Sequence, residues 1–341
     1  MIKVLLPGLG KPFVTMETLR LQPWNYIVQI AEDLATQGYN VTIHPWPGNL
    51  EDNVVKMLSE KGIKVDAGTL NCPPGTLLLA PIGFGYFQKW VSRYEHSINK
   101  CRIAGILTTF LTKLSGLLRN YVRIKLSGTA VVADAVLVEN FLARFYGRKV
   151  LGSLEFIITP SRDYVRFAPG SRVIVYYPRV RGVLRGTPVR GRRGDGVSLV
   201  YFGPYTEERG VISIIKSFKI IMNILSGGAS LTLLLRDKPK KPIKDYKNIN
   251  IIMGGLSREE LWRRIISSDM VLLPYRIIPS TVPLSFFEAL EAEAPLVLAS
   301  WIPGFREHVS KYLDDGLQEV YSPRDLANYI IKLIENKKYF L

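Results

Sequence analysis

Val200-Tyr-Phe-Gly-Pro-Tyr-Thr-Glu-Glu-Arg-Gly210 reads as a strand that ends at Gly203, a short turn, and a helix that begins near Thr206 or Arg209. Such a junction sits at the carboxyl edge of a parallel sheet, where free backbone N–H groups and the helix dipole point outward and favour phosphate. Arg209 adds a fixed positive charge at that place; a capped surface turn with a solvated arginine is the plain alternative. The pattern extends both ways along the chain. Short β-rich runs occur at residues 3–6, 40–45, 76–80, 103–109, 131–138, 156–158 and 172–177, and again at 198–202, 231–235, 249–253, 270–273 and 296–299. Stretches with helical apolar spacing lie between most of them, as at 24–34 and 211–225. Near-continuous apolar strands alternating with helices imply parallel sheets covered on both faces. The fold class expected is α/β.

The chain has 341 residues, 47% hydrophobic and 22% charged, which excludes disordered and fibrous classes and suits two domains. The Gly/Arg/Pro stretch 181–195 can neither bury an apolar face nor hold regular structure, so it is expected to be a basic linker between an N-terminal domain, 1–180, and a C-terminal domain, 196–341. Lys and Arg number 45 against 29 Asp and Glu, a net charge of +16. Residues 1–180 hold 21 basic side chains against 12 acidic, while 196–341 hold 19 against 16, so the positive field belongs to the first half and the linker. Anionic partners follow: phosphates, nucleic acid or an acidic membrane face.

Cys72 and Cys101 cannot build a disulfide framework, and no Cys/His cluster offers a zinc site, which agrees with a reducing cytosol. The first residues are too short in apolar run for a secretory signal, and the longest apolar stretch, 103–118, falls short of the roughly 20 residues that cross a bilayer. No acidic residue stands between Glu95 and Asp134, yet Lys100, Arg102, Lys113, Arg119, Arg123 and Lys125 lie among Ile, Leu, Phe and Tyr. A basic amphipathic helix at about 111–124 would lie on anionic lipid; a core helix with a solvated basic rim has the same pattern. The expected location is therefore cytoplasmic, with peripheral contact at the inner membrane face.

A second motif is Pro279-Ser-Thr-Val-Pro-Leu-Ser-Phe-Phe-Glu-Ala-Leu290, after the run at 270–273. Pro283 suits a helix first turn, Ser280 and Thr281 can donate before it, and Glu288 sits early enough in the helix to accept from ribose or sugar hydroxyls. A helical glutamate is also commonly just solvated.

These motifs, taken in order, resemble the donor-binding half of family 4 retaining glycosyltransferases of the GT-B fold, over nearly all of residues 196–335. The family's strand-end glycine falls on Gly203 and its helix-start basic residue on Arg209, followed by Gly210. Its base-contact loop falls on Gly254, Gly255 and Leu256, its second glutamate on Glu288, and its Gly-x-x-Glu on Gly304 to Glu307. The resemblance implies two Rossmann-like parallel-sheet domains facing across a cleft. It further implies that Arg209 holds the donor diphosphate and Glu288 the ribose, as the catalytic pair, with Gly203, Gly255, Leu256, Ser280, Thr281 and Ser285 around the donor. Two positions depart from the family: Pro204 stands for its arginine and Ser280 for its first glutamate. Arg276, Ser280, Thr281 or Ser285 would supply the diphosphate and sugar-hydroxyl interactions that those two family residues make. In the first half, Gly8-Leu-Gly10 follows the first strand and is a loop that could approach donor phosphate or acceptor, although a third glycine is missing.

The function implied is transfer of a sugar, with retention, from a nucleotide-diphosphate donor to a glycan or lipid-linked acceptor. No Asp-x-Asp occurs in the chain, so neither a metal nor another cofactor is expected, and Arg209 with helix N-termini would stabilise the leaving phosphate. A catalytically degenerate GT-B binding protein is the alternative that Pro204 and Ser280 suggest. A basic nucleic-acid binder is a third reading; it lacks a reading motif, so no nucleic-acid partner is expected.

Overall fold

The computed structural model describes residues 1–8, 13–19, 23–46, 48–83, 100–107, 114–162, 172–180, 196–225, 228–236, 247–254, 256–277, 283–294, 296–300, 317–318 and 322–335. The expected linker, 181–195, lies outside them. The chain forms two compact units, one from Met1–Thr112, Leu137–Arg179 and Pro279–Pro283, the other from Lys113–Val136, Val180–Ile278 and Leu284–Leu341.

The first unit holds β1 (Ile2–Pro7), β2 (Phe13–Val14), β3 (Val41–Trp46), β4 (Asn49–Leu50), β5 (Lys64–Val65), β6 (Leu77–Ile82), β7 (Arg102–Leu107), β8 (Ile157–Thr159) and β9 (Val173–Val175). Seven form one parallel sheet in the order β5-β3-β1-β6-β7-β8-β9, and β2 pairs with β4. Every residue of β1 is buried, as a strand covered on both faces requires. The helix Trp24–Thr36 follows the expected spacing and buries Trp24, Tyr26, Ile27, Ile30 and Ala31. Its Trp24 Nε1 donates to Pro7 O at 2.5 Å and its Tyr26 hydroxyl to Tyr176 O at 2.7 Å, tying the helix to the end of β1 and to the residue after β9. Burial pushes the Tyr176 phenol up to about 12.

Two expectations change here. The run 131–138 reads as a strand on its β-branched content; only the residues before Ala133 are irregular, and the helix Ala133–Gly152 takes the rest. Cys72 and Cys101, read in the sequence as too few for a disulfide framework and as agreeing with a reducing cytosol, form a single disulfide with Cα atoms 5.5 Å apart, because adjacent strands β6 and β7 bring the segments before them side by side.

The second unit holds β10 (Val197–Gly203), β11 (Ala229–Leu235), β12 (Ile249–Met253), β13 (Met270–Leu273), β14 (Val297–Ser300) and β15 (Leu317–Gln318), all parallel in the order β12-β11-β10-β13-β14-β15. The helix Val211–Ile224 lays Val211, Ile214, Ile215, Phe218 and Ile221 into the core, and Ser217 Oγ donates to Pro323 O at 2.7 Å at the start of the helix Pro323–Glu335. At the amino edge, Asp269 Oδ2 accepts from Ser198 N–H and Oγ at 2.8 and 2.9 Å and fixes β10 beside β13.

Lys113–Val136 groups with this unit, although the sequence boundaries set it within 1–180. The helix Leu114–Ser127 buries Leu117 and Ile124, and Asn120 Nδ2 donates to Arg276 O at 2.9 Å. Its other face is open: Leu118, Val122 and Leu126 are 39%, 54% and 83% exposed.

Candidate functional site

Strand order reverses in the second unit between β10 and β13, so the segments that leave their carboxyl ends diverge and open a binding position between them. After β10 the chain passes Gly203 at φ 141° and makes a single 3-10 turn, Glu207–Arg209. It then enters the helix Val211–Ile224 through Gly210 at φ 79°. That glycine is dictated by its neighbour, since a Cβ there would stand 2.3 Å from Pro274 O, just past β13.

The turn is fixed by two buried carboxylates. Glu207 Oε1 accepts from Arg276 Nε at 2.6 Å and from Ser213 Oγ at 2.6 Å, with the two ionised side chains only 7% and 3% exposed. Arg276 Nη2 donates on to Ser213 Oγ at 2.5 Å. Glu208 Oε1 accepts the backbone N–H groups of Val131, Val132 and Ala133 at 2.8, 2.7 and 2.8 Å, and so caps the helix Ala133–Gly152 from a distant part of the chain. Its carbonyl also accepts from Arg276 N–H and Ile277 N–H at 2.9 and 3.1 Å. Arg276, expected as a substitute donor contact, is thus consumed in a structural ion pair, because a buried guanidinium needs a carboxylate beside it.

Arg209 ends the anchored turn. Its guanidinium carbon lies 4.9 Å from the centroid of the Tyr275 ring, and its Nη1 is buried with no hydrogen-bond partner. Among the described residues no carboxylate pairs with it. A buried N–H without a partner costs about 1–3 kcal/mol, more on a charged group, so this atom is one that an anion would satisfy. The Tyr275 ring is buried, and its hydroxyl lies 2.5 Å from Ser285 Oγ. Burial raises the Tyr275 phenol; Arg209 lowers it and Glu288 raises it, which sets both charges within electrostatic reach of one hydroxyl.

Glu288 lies on the helix Leu284–Glu291 with Oε1 3.5 Å from Arg258 Nη2, its side chain 21% exposed. Burial pushes its pKa up and the Arg258 charge draws it back. Arg258 heads the helix Arg258–Ser267, which Ser257 Oγ caps by accepting from Glu260 N–H at 3.1 Å.

The structure therefore gathers Gly203, Arg209, Ser285 and Glu288 at the carboxyl end of one sheet. Leu256 is half-buried just past β12. Gly8 belongs to the first unit, at the end of β1, with its N–H on Trp46 O at 2.9 Å. Gly10, Gly255, Ser280, Thr281, Gly304 and Glu307 lie outside the described residues. Sequence reasoning missed Tyr275 and Arg258; the only signal for Tyr275 was its place just beyond the strand that neighbours β10. Among the described residues, no group of His, Cys, Asp or Glu side chains is arranged to hold a metal.

Residues 189–339 match the family model described as Glycosyl transferases group 1. No curated protein sequence matches the chain. Three solved structures resemble it over nearly their whole length. WaaG, a glycosyltransferase involved in lipopolysaccharide biosynthesis, superposes with a TM-score of 0.57 at 14% identity, over 99% of this chain and 92% of that one. A glycosyltransferase from Rickettsia africae ESF-5 gives 0.59 at 12%, over 99% and 88%. The trehalose-6-phosphate synthase OtsA gives 0.57 at 10%, over 98% and 91%. These likenesses show the fold, which is GT-B.

Proposed function

We propose that the protein is a glycosyltransferase that moves a sugar from a nucleotide-diphosphate donor to a glycan or lipid-linked acceptor, with retention at the anomeric carbon. The observation that carries this reading is the unpartnered, buried Nη1 of Arg209 at the switch point of a unit that matches group 1 glycosyltransferases. Arg209 holds the diphosphate and stabilises the charge that grows on it as the glycosidic bond breaks; the Tyr275 face and the locked turn hold the guanidinium in place beforehand. Glu288 accepts from hydroxyls of the ribose or sugar, and the Arg258 charge beside it favours its carboxylate form against the burial that opposes it. Gly203, Gly255, Leu256, Ser280, Thr281 and Ser285 shape the donor site, and the loop of Gly8 and Gly10 approaches the phosphate or the acceptor.

Without an Asp-x-Asp pair, leaving-group charge is met by Arg209 and backbone N–H groups rather than by a metal ion. No described helix is long and apolar enough to cross a membrane. The exposed Leu118, Val122 and Leu126, rimmed by Arg119, Arg123 and Lys125, support peripheral contact with an anionic leaflet, as a cytoplasmic protein at the inner membrane face would make.

Incubation with a panel of radiolabelled nucleotide sugars, with and without a lipid extract, tests the proposal. Hydrolysis or transfer from one donor is the expected result. Nucleotide binding with no turnover of any donor would replace it with a GT-B binding protein.

A further inference from the structure

A diphosphate carries two or more negative charges, and the segment that leaves β10 meets it with Arg209 alone. Pro204, directly after Gly203, has neither an N–H nor a charge. The adjoining strand holds a second cation. β10 and β11 run in parallel register to their last residues, Gly203 opposite Leu235, so Arg236 is the first residue clear of the ladder. Its N–H donates to Gly203 O at 3.3 Å, and the residue is exposed.

Tyr201 marks the floor of the same place. Its hydroxyl donates to Pro204 O at 2.6 Å and stands 3.2 Å from where a Cβ on Gly203 would lie. The Arg209 and Arg236 guanidinium groups both act electrostatically on that buried phenol. Two cations from two different strand exits therefore flank one strand end, and one of them has a buried N–H without a partner.

We propose that Arg209 and Arg236 together form the diphosphate-binding pair of the donor site, Arg209 from the turn after β10 and Arg236 from the end of β11. This rests on the donor-site reading of Arg209. Guanidinium forks suit the task, since each can give two parallel hydrogen bonds to phosphate oxygens, and such charged bonds are about twice as strong as neutral ones. Pro204 then costs the site little, because the second charge comes from the neighbouring strand.

The test is equilibrium binding of UDP, GDP and ADP, each beside its nucleoside, to the full chain and to R236A, R236Q, R236K and R209A. The nucleoside diphosphate that binds best to the unaltered protein should bind about tenfold more weakly to R236A and R236Q, with R236K between. Nucleoside affinity and melting temperature should hold in R236Q, and its diphosphate affinity should fall less steeply with salt. Unchanged diphosphate binding in R236A and R236Q, beside weakened binding in R209A, would overturn the role of Arg236 and leave the donor site standing. If the unaltered protein binds no nucleoside diphosphate, or R209A binds it normally, the donor reading falls and this proposal with it.

Discussion

The guanidinium carbon of Arg209 lies 4.9 Å from the ring centroid of Tyr275, so a cation delivered by the exit of β10 rests on an aromatic face delivered by the exit of β13. These strands are the neighbours between which the sheet reverses its winding. The pairing holds Arg209 in one orientation while leaving its Nη1 without a partner, and preorganisation of this kind lets a charge act without reorganising as a reaction proceeds.

Arg209→Ala is expected to lower both donor affinity and turnover, by about 2 to 4 kcal/mol in kcat/KM. Arg209→Lys should recover part of the loss, because a point charge remains while the planar fork and its stacking on Tyr275 are gone. Steady-state kinetics on the donor found active would measure both.

Gly210→Ala is expected to destabilise the second unit by about 2 to 5 kcal/mol, from a left-handed backbone combined with a clash. The added Cβ meets the Pro274 carbonyl at 2.3 Å, a backbone group that cannot swing away. Chemical denaturation would show it as a lower midpoint. A midpoint equal to that of the unaltered protein would mean the β10 and β13 exits do not touch in this way.

Glu288 gives a pH prediction in two parts. Burial raises its folded-state pKa above the ordinary carboxylate value, so its ionisation opposes folding: stability falls as pH rises from the unfolded pKa through the folded one. Glu288→Gln should therefore be at least as stable as the unaltered protein at neutral pH, and the difference should vanish below the ordinary carboxylate range. Nucleotide affinity should move the other way, weakened by about 1.5 to 3 kcal/mol at neutral pH for a lost charged hydrogen bond. Thermal melts across pH and calorimetric titrations separate the two.

Vesicle binding should require anionic lipid and weaken with salt, since each basic residue near the surface contributes about 1 kcal/mol. Lys125 on this helix also pairs with Asp134 at 3.0 Å. Val122→Asp, on the exposed face, should reduce cosedimentation without lowering the melting temperature. Equal binding to neutral vesicles would remove the membrane from the account.

Both sheets were legible in the sequence because strands buried on two faces read as unbroken apolar runs, and Gly203 with Arg209 was legible because a strand, a glycine and a basic helix start are contiguous. Features made by distant residues were not. Val131 to Val138 reads as a strand by β-branched content, and Glu208, brought to it by the fold, caps the helix that starts there at Ala133. Arg276 reads in the sequence as available for phosphate, yet Glu207, distant in the chain, holds it. Tyr275 under Arg209, and Cys72 beside Cys101, depend on which strands become neighbours, which local pattern does not encode.

The central claim is that the switch point between β10 and β13 binds the donor diphosphate, and a crystal structure with a bound nucleoside diphosphate tests it most directly. The account predicts phosphate oxygens at about 3 Å from Arg209 Nη1, the atom now buried without a partner. A diphosphate seated instead at the carboxyl end of β1 around Gly8, with Arg209 still untouched, would contradict it.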